Sequence, residues 1–489
     1  MKNRSLAILY SVVVTIALAE ILILGYISGL HLLVIDGLAL GTVYGVFVNA
    51  HLILQIILAY HNRKLIRHLR LCARLYRYKP SASIVATGYN ENESLLRQHY
   101  QSIRKLKGPF KRYWFMSDGL TSNKNNTMAT IFQETFPDGV IIELPFVLKH
   151  APTKQKKLWR QTIQAIEKNT KYIFIAQPHS DKRRAMYTAI KSILLRDKPD
   201  IIVNTDSDTK FAPNVIREMC APFVDPRVGA VTGDVRILNR TKRTGGTLIS
   251  FLSSLRYWQA FNLERAAQSL FGVVYCVSGP LGAYRSIVWK EIIEDWSNQI
   301  FLGRITTTGD DRCATNYTLR STGKRFGEAW RVHFTPYAYC ETETPTTLVR
   351  WLKQQERWSR SFYREAQLTY RWSYKHHTWL TYELVYHVLF PFFLFFSILG
   401  QIITIITTHH YSGAFLFLFL IFFSGCIRSI YGFILTKNYK HLYFSLYGFL
   451  YMAFLLWVKL FALLFVWRND WGTSTRHDMN YVSTETNKI

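Results

Sequence analysis

The middle of this 489-residue chain predicts an α/β domain on a mixed, mostly parallel sheet, and its two ends predict an α-helical transmembrane region. Three observations carry that prediction. Short apolar runs alternate with helix-length patterns through the middle, unbroken apolar stretches stand before and after it, and a basic run closes the first pair of stretches. A mean hydropathy near zero is the average of these two unlike populations.

Residues 6–30 and 32–60 are each long enough to cross a hydrocarbon core, which takes roughly 20 apolar residues in a helix. A cleaved leader ending at Ala17-Leu18-Ala19 is the weaker reading, because the apolar run continues past that point and a second span follows. The run His61-Asn62-Arg63-Lys64-Leu65-Ile66-Arg67-His68-Leu69-Arg70 belongs in the cytosol by the positive-inside rule, so residues 62–345 are expected there. Strands are expected at 83–88, 113–117, 172–176, 201–205 and 229–235. In such sheets ligands gather at the carboxyl ends of the strands. Residues 346–375, rich in arginine and aromatic side chains, read as amphipathic interface helices. Two further spans are expected within 376–441. The stretch 442–467 contains Lys459 and stands between two basic segments, so it is expected to lie along or dip into the membrane, leaving a cytosolic tail at 468–489.

Sixty Lys and Arg against 32 Asp and Glu give a formal net charge of +28, which suits a nucleic acid, an anionic lipid or a phosphate-bearing ligand. The basic residues are scattered and form no nucleic-acid motif, which argues against a nucleic-acid partner and leaves a non-enzymatic transporter as the alternative of another class. Six cysteines without a C-x-x-C pair read as reduced thiols.

The run 201–205 leads directly into Asp206-Ser207-Asp208. Two carboxylates at a strand end can hold Mn2+ or Mg2+, hard cations that take oxygen ligands together with substrate phosphates. A second acidic pair, Asp310 and Asp311, follows Gly309 and precedes Arg312. One positioned carboxylate is what a transfer onto a sugar hydroxyl needs as general base. In Gln354-Gln355-Glu356-Arg357-Trp358 an indole face can stack on a sugar ring while an arginine neutralises pyrophosphate.

These motifs, in this order and followed by membrane spans, resemble those of the processive family-2 glycosyltransferases that make cellulose, chitin and hyaluronan. Longer strings resemble hyaluronan synthases in particular: Gln177-Pro178-His179-Ser180-Asp181-Lys182-Arg183, Ser278-Gly279-Pro280-Leu281-Gly282, Gly309-Asp310-Asp311-Arg312 with Thr315-Asn316, Arg350 through Ser359, and Trp471-Gly472-Thr473. The resemblance implies a GT-A-type glycosyltransferase domain. It implies that Tyr89 and Glu91 hold uracil, that Asp118 makes a second uridine contact, and that Lys182 and Arg183 lie near UDP. Asp206 falls on the ribose side, Asp208 is the metal ligand, and Asp311, beside Asp310, is the general base. Gln354, Arg357 and Trp358 serve leaving group and acceptor, and Trp471, Gly472, Thr473 and Arg476 close over the pyrophosphate. Cys276 and Gly279 lie near the site, although Cys276 reads equally well as a small buried hydrophobe.

The implied activity is processive, inverting synthesis of hyaluronan from UDP-N-acetylglucosamine and UDP-glucuronate, with passage of the polysaccharide across the membrane. A chitin synthase using UDP-N-acetylglucosamine alone is the nearest alternative. A monomer in the plasma membrane, in contact with lipid and with catalytic domain and both termini in the cytosol, is expected.

Overall fold

A run of apolar residues with no polar alternation suits a strand covered on both faces. The central strands obey this: β1 (Ala82–Gly88) and β2 (Tyr113–Ser117) are buried along their whole length. The structure, a computed structural model, describes residues 37–108, 110–121, 127–238, 246–322 and 327–469. The predicted span at 6–30 and the residues Trp471, Gly472, Thr473 and Arg476 lie outside these.

Further strands are β3 (Val140–Glu143), β4 (Tyr172–Ala176), β5 (Ile201–Asp206), β6 (Lys210–Phe211), β7 (Val228–Ile237), β8 (Gly282–Arg285), a small hairpin β9 (Ile300–Phe301) and β10 (Arg304–Ile305), and β11 (Arg331–Thr342). The main sheet runs β3-β4-β2-β1-β5-β8-β7-β11-β6. Its left half is parallel throughout, while β8 is antiparallel to both β5 and β7. All five predicted strands are present. β8 has too few apolar residues to stand out, and β11 is broken by Pro336, which sits where the register with β7 shifts between Thr335 and Tyr339.

The inserted β8 sets up the site. The loop leading into it lies across the end of β5, where Thr205 Oγ1 donates to the Pro280 carbonyl at 3.0 Å. The same loop is held from two other sides: Val277 N–H donates to Thr315 Oγ1 at 2.8 Å and Ser278 N–H to Thr232 Oγ1 at 3.1 Å.

The helix Gly37–Leu75 runs on well past the expected end of its membrane span at residue 60. The basic run is therefore helical, and it grips the catalytic domain: Arg70 makes a bidentate pair with Glu218 (2.5 and 2.7 Å), and Arg63 donates to Asn262 Oδ1 at 3.1 Å. Satisfying these donors against the domain outweighs leaving them in water, so the helix does not end at the membrane surface.

Among the described residues four segments are long and apolar enough to cross a membrane: Tyr44–Leu75, Thr378–Thr408, Ser412–Thr436 and Tyr439–Leu464. The last is not one regular helix. It opens with a 3₁₀ stretch, Tyr439–Leu446, and passes through a π-type turn at Tyr451–Leu455 before the helix Leu456–Leu464. The expected amphipathic element is a single helix, Leu348–His376, between the catalytic domain and these segments.

Candidate active site

Asp206 closes β5, and Lys182 opens the helix Lys182–Arg196 that follows β4. Both stand at carboxyl ends of parallel strands, where backbone dipoles and loops leave room for ligand. Lys182 Nζ meets Asp206 Oδ1 at 2.5 Å. Burial pulls the Lys182 ammonium down, but the Asp206 and Asp311 carboxylates outweigh it and hold the pKa above its ordinary value. Lys182 is therefore a fixed cation at the site.

Asp311 enters from the opposite side, on the first turn of the helix Asp310–Arg320. Its Oδ2 accepts from Gly279 N–H at 3.0 Å. A Cβ at Gly279 would stand 2.8 Å from Asp311 Oδ2 and 3.2 Å from Asp206 Oδ2. The two carboxylates thus converge on the one face that glycine leaves open. Burial raises the Asp311 carboxyl to about 6; Lys182 opposes that rise, and Asp206 and Asp310 add to it. A carboxyl tuned there is suited to take a proton near neutral pH.

Gly279→Ala should therefore cost activity out of proportion to stability, because the added methyl must displace the Asp311 carboxylate. We expect turnover to fall by about 10²-fold, the size associated with misplacing a catalytic group by an ångström, with little change in melting temperature. Near-native synthesis by the folded variant would refute the convergence of Asp206 and Asp311.

Arg183, expected beside UDP, turns its side chain into the interior. Its side chain is 2% exposed and pairs with Asp310 through Nε at 2.7 Å, while Nη1 donates to the Trp296 carbonyl at 3.1 Å and Thr306 Oγ1 at 2.8 Å. Asp310 is thereby an anchor for the helix that presents Asp311. A guanidinium and a carboxylate in a dry interior must find each other, and this pair does.

Gly309 has φ +79°, the left-handed region, and its missing Cβ makes room for Ser361 and Arg364 of the helix Leu348–His376. Arg364 also donates to the Thr308 carbonyl. Glu365 accepts from Gln299 Nε2 at 2.9 Å and Asn316 Nδ2 at 3.1 Å. The helix bearing Gln354, Arg357 and Trp358 is thus locked to the turn that bears Asp311. Arg364 and Glu365 had no assigned part in the sequence, where they are one more pair of charges on a helix rich in arginine and aromatic side chains.

Arg357 is partly buried, within electrostatic reach of Asp311 and Asp206; desolvation lowers its pKa against the pull of these carboxylates. Trp358 packs near Tyr257, ring centroids 6.1 Å apart. Gln354 Oε1 is buried without a hydrogen-bond partner among the described residues. Asn469, the last described residue, accepts from Thr307 Oγ1 through its carbonyl at 3.1 Å and from Arg364 Nη1 through Oδ1 at 3.3 Å.

The residues expected on the nucleotide side lie across the sheet end. Tyr89 stacks on His179 with centroids 4.1 Å apart, on the loop that continues to Glu91. Asp118 is buried; it accepts from Ser180 N–H at 3.0 Å and meets His179 Nδ1 at 2.9 Å, an ion pair that raises the His179 pKa. Asp118 therefore shapes the 177–180 loop and holds His179 against Tyr89. His179 carried no role in the sequence beyond its place in a recognised string. Cys276 is partly buried, two residues before Ser278.

Asp208 is nearly buried, with Oδ1 accepting from Thr342 Oγ1 at 3.3 Å. Among the described residues no three His, Cys, Asp or Glu side chains form a metal cluster. Asp206 and Asp208 are an all-oxygen donor pair. Such a pair fits a hard divalent cation whose remaining ligands are phosphate and water, as magnesium sites are built.

A model of the glycosyltransferase-like family 2 matches residues 155–361, which include Lys182, Asp206, Asp311 and Trp358. Hyaluronan synthase 3 of Xenopus laevis is 36% identical over 462 residues, covering 94% of this chain and 79% of that protein. Hyaluronan synthase 2 of Rattus norvegicus is 37% identical, covering 88% and 76%. A solved mannosyltransferase of Pyrobaculum calidifontis, in complex with GDP-Man and Mn2+, covers 82% of this chain at 14% identity and a TM-score of 0.47. The fold and the acidic site define a glycosyltransferase with a GT-A-type catalytic domain on a membrane-type helical region. The chain belongs to the hyaluronan synthase family.

Proposed function

We propose that this chain synthesises hyaluronan by alternating transfer from UDP-glucuronate and UDP-N-acetylglucosamine, and passes the polymer across the membrane it spans. The carrying observation is the placement of Asp311 against Gly279, across from Asp206 and Lys182 and beneath the helix of Arg357 and Trp358.

In this reading Tyr89, Glu91 and the His179 loop hold the uracil end, and Lys182 and Arg357 bring positive charge to the pyrophosphate. The acceptor sugar lies on Trp358. Asp311 takes the proton from the attacking hydroxyl as that oxygen bonds to the anomeric carbon, and the bond to UDP breaks on the opposite face, so the configuration inverts. Asp206 and Asp208 would hold a divalent cation, Mn2+ or Mg2+, whose positive charge favours diphosphate as a leaving group. Trp471, Gly472, Thr473 and Arg476 close over the pyrophosphate in this reading; Asn469, two positions before Trp471, is tied to the turn before Asp311.

The topology that fits places the catalytic domain and both termini in the cytosol and the helices in the plasma membrane, in a protein that works as a monomer. The stretch 442–467 then lies at or dips into the membrane, consistent with its broken helix.

The test is a donor assay on purified protein. We expect polymer only when both UDP-sugars are supplied, and loss of that polymer on treatment with a hyaluronan-specific lyase. Polymer from UDP-N-acetylglucosamine alone would replace this reading with chitin synthesis.

A further inference from the structure

The turn that carries Asp206 and Asp208 is held by side chains far away in the sequence. Thr209 N–H donates to the Asp206 carbonyl at 3.3 Å, which closes the turn, and the chain then enters the two-residue strand β6 at the edge of the sheet. β6 is paired with Cys340 and Glu341 of β11. So short an edge strand is a weak anchor for a turn with chemistry to do.

The helix Glu93–Arg104, which begins just after the loop of Tyr89 and Glu91, supplies the rest. His99 is fully buried on it; its Nδ1 stands 2.5 Å from the Thr209 carbonyl and its Nε2 stands 2.8 Å from the Tyr113 hydroxyl. A carbonyl can only accept, so Nδ1 carries the proton, and Nε2 accepts from the tyrosine. One turn on, Ser102 Oγ donates to the His99 carbonyl at 2.7 Å and accepts from Phe211 N–H at 3.0 Å. The helix thus grips the backbone on both sides of Lys210, immediately after Asp208.

We propose that His99 and Ser102 are positioning residues for this turn, fixing the backbone from which Asp208 presents its carboxylate to a divalent cation. The inference rests on the reading of Asp206 and Asp208 as the cation's ligands. A ligand binds best when the groups behind it are held, and loosening such a support commonly weakens metal binding by about 10- to 100-fold. A histidine that only filled space would act on stability alone. Two amide replacements separate these roles, because Asn places its amide nitrogen where Nδ1 stands and Gln places its amide where Nε2 stands. His99→Asn can still donate to Thr209 and loses Tyr113, whereas His99→Gln can still meet Tyr113 and loses Thr209. Each gives up one buried hydrogen bond, so their melting temperatures should fall alike.

The experiment is a Mn2+ titration of the full-length protein in detergent with saturating UDP, followed by the electron paramagnetic resonance signal of free Mn2+. Relative to the native protein, His99→Gln should bind Mn2+ about tenfold or more weakly, and His99→Asn should stay within about threefold. Affinity that falls equally in both variants, or in neither, overturns the assignment. Where either amide variant fails to fold, Ser102→Ala decides: it should weaken Mn2+ by about threefold or more, the scale of one hydrogen bond, and native affinity in that variant overturns the assignment. Asp208→Asn separates this inference from the reading beneath it. Binding lost there but kept in the His99 variants sinks the positioning role alone, whereas a native protein that takes up no Mn2+ sinks both.

Discussion

Asp311→Asn should abolish polymer synthesis, lowering the rate by about 10³-fold or more within the range general-base removal commonly costs, while the folded protein still binds UDP. The amide keeps the shape of the carboxylate and can still meet Gly279 N–H, so what is lost is the ability to accept a proton. The native pH profile carries the same information. With the Asp311 pKa at about 6, activity should fall as the pH drops through that value, because the protonated carboxyl cannot act as base.

Stability moves the other way. The folded pKa of Asp311 lies above its ordinary value, so the native state holds this proton more tightly than the unfolded chain does. The associated stability is present in acid and is lost as the pH rises through about 6. At neutral pH the buried carboxylate is a net burden, and Asp311→Asn should melt no lower than the native protein. A variant that synthesises polymer within tenfold of native, or a native rate that stays flat around pH 6, would remove Asp311 from the role of base.

Arg183→Ala should fail differently, through the fold. Removing one partner of a buried, hydrogen-bonded ion pair costs on the order of 3–5 kcal/mol, a large part of the stability of an ordinary domain. Here the loss strands Asp310 at the base of the catalytic helix and frees the acceptors of Trp296 and Thr306. Arg183→Lys should not rescue it, since one ammonium cannot reach acceptors that the planar guanidinium serves from three nitrogens. Thermal unfolding in detergent, followed by the loss of monodisperse protein, reads the effect. If Arg183→Ala instead unfolds normally and only its UDP affinity falls, Arg183 belongs to the nucleotide site, as the resemblance of its motif implied.

The contrast between adjacent Lys182 and Arg183 shows where reading along the chain stops. Both are basic, both follow the same string, and both carried the same expectation. One helical step apart, they point to different sides of the helix: Lys182 to the open end of the sheet, Arg183 into the interior behind it. Asp310 and Asp311 repeat this division. A side chain's direction depends on which face the tertiary fold covers, and adjacency in sequence does not encode that.

The strand ends were legible because buried parallel strands must be apolar and ligand-bearing polar residues must follow them; Asp206 after 201–205 and Asp118 after 113–117 stand where that logic put them. The membrane helices were legible from length and hydropathy, since hydrocarbon demands both. What the chain could not reveal in one dimension was every contact made between distant segments: β8 wedged antiparallel between β5 and β7, Arg364 and Glu365 clamping the turn before Asp311, and the basic helix of residues 61–70 bonded to Glu218 and Asn262. Periodicity and local propensity act over a few residues, whereas these arrangements come from burying apolar faces and pairing polar groups across 49 to 199 positions, so they exist only once the chain has folded.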